Sequence, residues 1–106
     1  MYRPDPKKVQ RLLEKQYGYP PGIASRVAEN TRPLYDEFAV AIEAWLRNDE
    51  MPGVSIDGIT LAEVMRNRRC NPIAAARLLG GLLDADLPPD QRDSLRSMLT
   101  TPVVVM

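Results

Sequence analysis

Few residues of this chain are equipped for chemistry. It has no histidine and one cysteine among its 106 residues, so it lacks the usual general base, the catalytic triads that depend on it and the commonest zinc ligand. The carboxylates Asp36, Glu37 and Glu43 fall along one helical segment, as on an ordinary solvated face. No aspartate pair follows a recognised metal-binding pattern. We therefore expect no enzymatic activity, no cofactor and no metal site.

Cys70 is the residue that leaves a catalytic alternative open. It follows Arg68 and Arg69 and precedes the predicted start of a helix at Pro72, and both cationic neighbours and a helix N-terminus favour a thiolate. A thiol-based activity is therefore a third hypothesis. The favoured interpretation is structural, because free cysteines are commonly buried and a small apolar residue suits the position before a helix cap.

The segment 60–79 carries the strongest local pattern. Thr60 and Glu63 form a capping box, in which each side chain satisfies backbone donors at a helix start. Asn71 followed by Pro72 repeats this arrangement, with a capping side chain before a proline at the first helical position. The segment therefore predicts two helices joined by a short turn.

This pattern resembles the helix-turn-helix of many bacterial repressors. Thr60-Leu61-x-x-Val64 is similar to the start of the first helix, and Asn71-Pro72 with Arg77 is similar to the recognition helix. The resemblance implies a DNA-binding regulator. The residues that it implies as DNA contacts are Asn71, Ala74 and Arg77 facing the bases, with Arg66, Arg68 and Arg69 near phosphates.

The same segment also fits a hairpin that packs into a core. The second helix begins with Ile73-Ala74-Ala75-Ala76, where a DNA-reading helix needs polar side chains that reach base edges. Residues 64–83 carry four basic groups and no acidic group. We favour the packing interpretation and keep DNA binding as the alternative.

Hydrophobic residues recur at helical spacing through most of the chain, which predicts an all-α fold. Asp5 caps a helix that starts at Pro6 and stops at Gly18. A short second helix ends near Asn30, and a third, longer one begins around Asn30-Thr31-Arg32 and continues through Trp45. A last helix runs from Pro89 to about Leu99. The expected arrangement is a single helical domain over residues 1–106, with five or six short helices around one core. The predicted core residues are Leu34, Phe38, Ile42, Trp45, Leu61, Val64, Leu78, Leu79 and Leu82.

The chain ends in the apolar residues Val103, Val104 and Val105. We expect this tail to dock on a groove or sheet edge, in a partner or in a sister subunit. A minor two-stranded pairing of residues 54–56 with 103–105 is also consistent with the alternation at Val54-Ser55-Ile56.

Charge and composition point to interaction rather than catalysis. Fourteen basic and fourteen acidic residues cancel, so no net field draws the whole chain to nucleic acid or a membrane. The charges nevertheless form blocks, which could pair within the fold or across a dimer. With one cysteine and no apolar leader, we expect a cytoplasmic protein. The favoured function is a non-enzymatic module for protein interaction or self-association, with a protein partner or itself as a homo-oligomer, no membrane, and nucleic acid as the less favoured partner.

Overall fold

The computed structural model describes residues 1–104 and confirms the all-α fold with a minor two-stranded pairing. The chain divides into two compact units, Met1–Pro52 and a second that begins at Gly53. The organisation as a single domain stays a prediction. Within residues 1–104, no helix is both long and apolar enough to cross a lipid bilayer.

The first unit consists of helices and a 3-10 turn joined by short connecting segments. Its elements are α1 (Pro6–Tyr17), α2 (Pro21–Glu29), a 3-10 turn (Asp36–Phe38) and α3 (Ala39–Leu46). The predicted limits of α1 are confirmed, because the Asp5 side chain accepts a hydrogen bond from the Lys7 backbone N–H. Gly18 ends the helix in the left-handed conformation at φ 67°, which glycine adopts without a Cβ penalty.

The predicted start of the third helix is wrong. Leu34 forms an antiparallel bridge with Tyr2, in which each backbone N–H donates to the other residue's carbonyl at 2.8 and 2.7 Å. Residues 31–35 are therefore extended, and α3 starts at Ala39 after the 3-10 turn. A second hydrogen bond joins the N-terminal segment to α3, since the Tyr2 hydroxyl donates to Glu43 Oε2 at 2.9 Å.

The second unit begins with a small hairpin. Strand β1 (Ser55–Ile56) pairs with β2 (Ile59–Thr60), joined by Asp57 and Gly58 at φ 52° and 79°. Positive φ at both central residues defines the type I′ turn whose twist matches paired strands. The predicted pairing of residues 54–56 with the tail is therefore wrong for residues 103 and 104, because the strand at 55–56 pairs with residues 59–60 instead. Its remaining member, Val105, lies outside the described residues.

Three helices complete the second unit: α4 (Leu61–Arg68), α5 (Pro72–Gly80) and α6 (Pro89–Thr100), with a 3-10 turn at Gly81–Leu83. Helix α4 packs against both α5 and α6. A Cβ added at Gly81 would lie 2.8 Å from Leu95 Cδ2, so glycine permits the close approach of α6 at this point. Eight of the nine predicted core residues are buried. The prediction that Leu78 belongs to the core is wrong, because this residue is half-exposed on the outer face of α5.

Candidate interaction surface

The turn between α4 and α5 is built by local capping. The Thr60 hydroxyl accepts from the Glu63 backbone N–H at 3.0 Å and starts α4. Asn71 Oδ1 accepts from the Ala74 backbone N–H at 2.9 Å and starts α5. Arg69 ends α4 in the left-handed conformation, and its N–H donates to the Met65 carbonyl. Only three residues therefore separate two helices whose starts the sequence predicts.

Arg69 is an unusual residue for its backbone conformation. In residues 1–104, three non-glycine residues have positive φ, namely Asn48, Asp57 and Arg69. Asparagine and aspartate tolerate this region because their short side chains bond locally, whereas other residues lose about 1–2 kcal/mol there. A glycine at position 69 would avoid this cost. Strain kept at one residue is a reason to look for a use of its side chain, and the Arg69 side chain is exposed.

The inner and outer faces of α5 separate the predicted site residues. Asn71 is only 9% exposed, and its side chain is occupied as the helix cap. Ile73 is buried at 6% exposure. The outer face instead carries the exposed Arg77, with Ala74 and Leu78 half-exposed beside it. These last three residues line an open depression of about 340 Å³.

The arginines of α4, the turn and α5 form no ion pair with any residue in 1–104. None of Arg66, Arg68, Arg69 or Arg77 has a carboxylate within 4.0 Å among the residues described. Three of them are exposed, and Arg68 is half-buried. These four arginines on α4, the turn and α5, together with Ala74 and Leu78, are called the arginine surface below; of the four, Arg77 lines the same depression as Ala74 and Leu78. It combines four uncompensated positive charges with an apolar patch.

The other two arginines of the second unit hold the fold instead. Arg92 donates to the Leu82 carbonyl at 2.7 Å and to the Asp84 carbonyl at 3.1 Å. Arg96 donates to the Asp57 carbonyl at 3.2 Å, and both guanidinium groups lie within 3.7 Å of the Asp57 carboxylate. These contacts attach the hairpin and the end of the 3-10 turn to α6. No local pattern in the sequence distinguishes these two structural arginines from the four that form no ion pair within residues 1–104.

A second cationic surface lies in the first unit. Lys7, Arg11 and Lys15 recur at four-residue spacing along α1 and line an open depression of about 530 Å³ with Gln10 and Glu14. This depression is larger than the one on α5, but every lining residue is polar. It has no apolar side chain and includes the Glu14 carboxylate, so the arginine surface is the better candidate for a protein partner.

Cys70 lies in the turn beside the arginine surface and is half-buried. Burial raises the pKa of its thiol, and the positive charge of Arg68 offsets this only in part. A raised pKa favours the protonated thiol at neutral pH, whereas nucleophilic cysteines need a lowered one. The thiol hypothesis therefore gains no support from the electrostatics of the site.

The tail is held by α4 at its first residue. The Val103 backbone N–H donates to the Asn67 carbonyl at 2.8 Å, and the Asn67 side chain donates to the Leu99 carbonyl at 3.0 Å. Val104 is 81% exposed. The tail is thus anchored within its own unit as far as Val103. The third predicted tail residue, Val105, lies beyond the part that the structure describes.

Comparisons with known proteins found no relative of this chain. No family model, curated protein or solved structure matches the chain. Over residues 1–104, no group of three or more Cys, Asp or Glu side chains is placed to hold a metal ion.

Proposed function

We propose that this chain is a non-enzymatic protein-interaction module, which binds a carboxylate-bearing segment of a protein on the arginine surface. This proposal rests on one observation: the four arginines, which form no ion pair within residues 1–104, occur together with the outward-facing Ala74 and Leu78. Arginine binds carboxylates through two parallel hydrogen bonds, and it is enriched at protein interfaces together with apolar anchors.

The chemistry of α5 favours a protein over DNA. A recognition helix presents polar side chains from its first turns to base edges. Here Asn71 is engaged as a cap, Ile73 is buried, and the outward residues are Ala74, Arg77 and Leu78. One arginine could contact a base, but the apolar residues next to it offer no hydrogen bond. An apolar protein side chain with nearby carboxylates complements the same face better.

DNA binding is the second candidate function. It is favoured by the left-handed residue in the turn between α4 and α5 and by the unpaired charges of Arg66, Arg68 and Arg69. Phosphate contacts of this kind give affinity without sequence reading and make binding steeply dependent on salt.

Backbone-amide NMR can test both candidates on one labelled sample. The probes are a synthetic amphipathic peptide with Leu and Glu at helical spacing, the same peptide with every Glu replaced by Lys, and a short DNA duplex. We expect the acidic peptide alone to shift the amide signals of Ala74, Arg77 and Leu78. If the duplex shifts these signals and the acidic peptide does not, the surface binds DNA, and the protein-binding proposal is wrong.

The remaining features are consistent with an intracellular interaction module. The chain has no histidine, and its one cysteine has a raised pKa, so it offers neither the commonest general base nor an activated thiolate near neutral pH. A single cysteine also forms no internal disulfide, as is usual in reducing compartments. We therefore place the proposed module in the cytoplasm, without a cofactor and without a membrane partner.

A further inference from the structure

A second unpartnered charge cluster lies in the same unit as the arginine surface. Residues 84–93, called the aspartate segment below, contain four aspartates, all of them exposed: Asp84, Asp86, Asp90 and Asp93. Over the described chain, none of the four carboxylates has a cationic group within 4.0 Å. Arg92, which belongs to the same segment, donates to the backbone carbonyls of Leu82 and Asp84 and not to any of the four carboxylates.

The aspartate segment complements the arginine surface in both charge and polarity. The segment has four carboxylates and the surface has four guanidinium groups, and within residues 1–104 neither set has a counterion within 4.0 Å. The segment also carries apolar surface, since Ala85 and Pro88 are exposed and Leu87 is half-exposed. These side chains match the open depression lined by Ala74 and Leu78. Charges of opposite sign on two surfaces favour and orient their association.

From this complementarity we infer that the occupant of the arginine surface is the aspartate segment of a second copy of this chain. This inference rests on the proposed function and identifies its partner. Because every copy carries both surfaces, a twofold-symmetric dimer forms the contact twice, and closed dimers of this kind are the commonest homo-oligomers. The contact is weakened by salt, since it pairs exposed charges.

Paired charge reversals test the contact by sedimentation velocity. One variant carries Arg66→Glu with Arg77→Glu, and the other carries Asp86→Arg with Asp93→Arg. All four positions are exposed, and circular dichroism checks that both variants keep the native helix content. In each variant alone, the two reversed side chains meet charges of their own sign at both contacts of the dimer. In an equimolar mixture, the reversed side chains of one variant meet those of the other, and the second contact pairs the two unaltered sets.

The expected result is specific to this contact. The unmodified protein sediments as a dimer at about 0.02 M salt and dissociates at about 0.5 M, where screening is short-ranged. Each variant alone is a monomer, with a dissociation constant at least tenfold weaker, and the mixture restores the dimer. The control Lys7→Glu with Arg11→Glu makes the same charge change on α1 and leaves the dimer intact.

Two failures have different meanings. If the unmodified protein is a monomer at low salt and high concentration, the inference of self-association is overturned. The proposed function then survives only if the acidic peptide still shifts the Ala74, Arg77 and Leu78 signals. If a dimer forms but neither reversal disrupts it, or the mixture does not restore it, the aspartate segment is not the occupant.

Discussion

Asn67 provides the most quantitative test of how the second unit is held together. Its side chain is the donor to the Leu99 carbonyl at 3.0 Å, and it is 7% exposed. That carbonyl has no donor within its own helix, because Pro102 lacks an N–H and the Val103 N–H donates to the Asn67 carbonyl instead. Asn67→Ala therefore leaves a buried acceptor unpaired.

The cost of this substitution can be worked from its parts. Losing the hydrogen bond costs about 1 kcal/mol, and leaving the buried carbonyl unsatisfied adds about 1–3 kcal/mol. The better helix propensity of alanine returns about 0.6 kcal/mol. We expect a net loss of about 2 kcal/mol in the free energy of unfolding, which lowers Tm by about 8 °C for a chain of this size.

Urea denaturation followed by far-ultraviolet circular dichroism measures this loss. The matched control is Arg66→Ala, one residue earlier on the exposed face of α4, which should change stability by less than about 0.5 kcal/mol. A loss below about 0.5 kcal/mol for Asn67→Ala would show that the hydrogen bond from Asn67 to the Leu99 carbonyl does not hold the end of α6.

Four further predictions follow from backbone conformation and pKa. Arg69→Gly should raise the free energy of unfolding by about 1 kcal/mol by removing left-handed strain, while it weakens binding of the acidic peptide in a parallel titration. Gly58→Ala, at φ 79°, should destabilise by about 1 kcal/mol or more, whereas Gly22→Ala, in α2 with open space around it, should stabilise by about 0.5–1 kcal/mol in the same urea assay. Burial and, to a smaller extent, the hydrogen bond to the Glu43 carboxylate raise the pKa of Tyr2. The stability that the protonated Tyr2 contributes to the fold is therefore present below pH 10 and is lost as pH rises further, and Tyr2→Phe should flatten this alkaline loss in melting curves. Cys70 should react slowly with iodoacetamide near neutral pH and quickly after unfolding, because burial raises its pKa.

Local patterns were sufficient to predict most helix starts. Asp5, Thr60 and Asn71 each accept a hydrogen bond from a backbone N–H two or three residues later, so the cap and its partner are read from one short stretch. The four arginines of the arginine surface lie in one basic block of the sequence and were singled out there as possible DNA contacts, whereas Leu78 was predicted to lie in the core. The hairpin of residues 55–60 was missed, although the Asp57-Gly58 pair between two isoleucines is a local signal for it.

Contacts between distant parts of the chain were not predictable in this way. The bridge of Tyr2 to Leu34 delays the start of α3, and no local preference of residues 33–38 reveals a partner so far away. Asn67 and Leu99 are 32 residues apart. The separation of structural from unpaired arginines has the same cause, because it depends on which of them reach Asp57 and distant carbonyls.

Binding of a carboxylate-bearing protein segment to the arginine surface is best measured as the affinity of paired charge variants. The acidic amphipathic peptide is titrated by fluorescence anisotropy against the unmodified protein, Arg66→Glu with Arg77→Glu, and the control Lys7→Glu with Arg11→Glu. We expect at least a tenfold increase in Kd for the first variant and less than a twofold change for the control. Equal losses in the two variants would contradict it, because binding would then follow net charge rather than this surface.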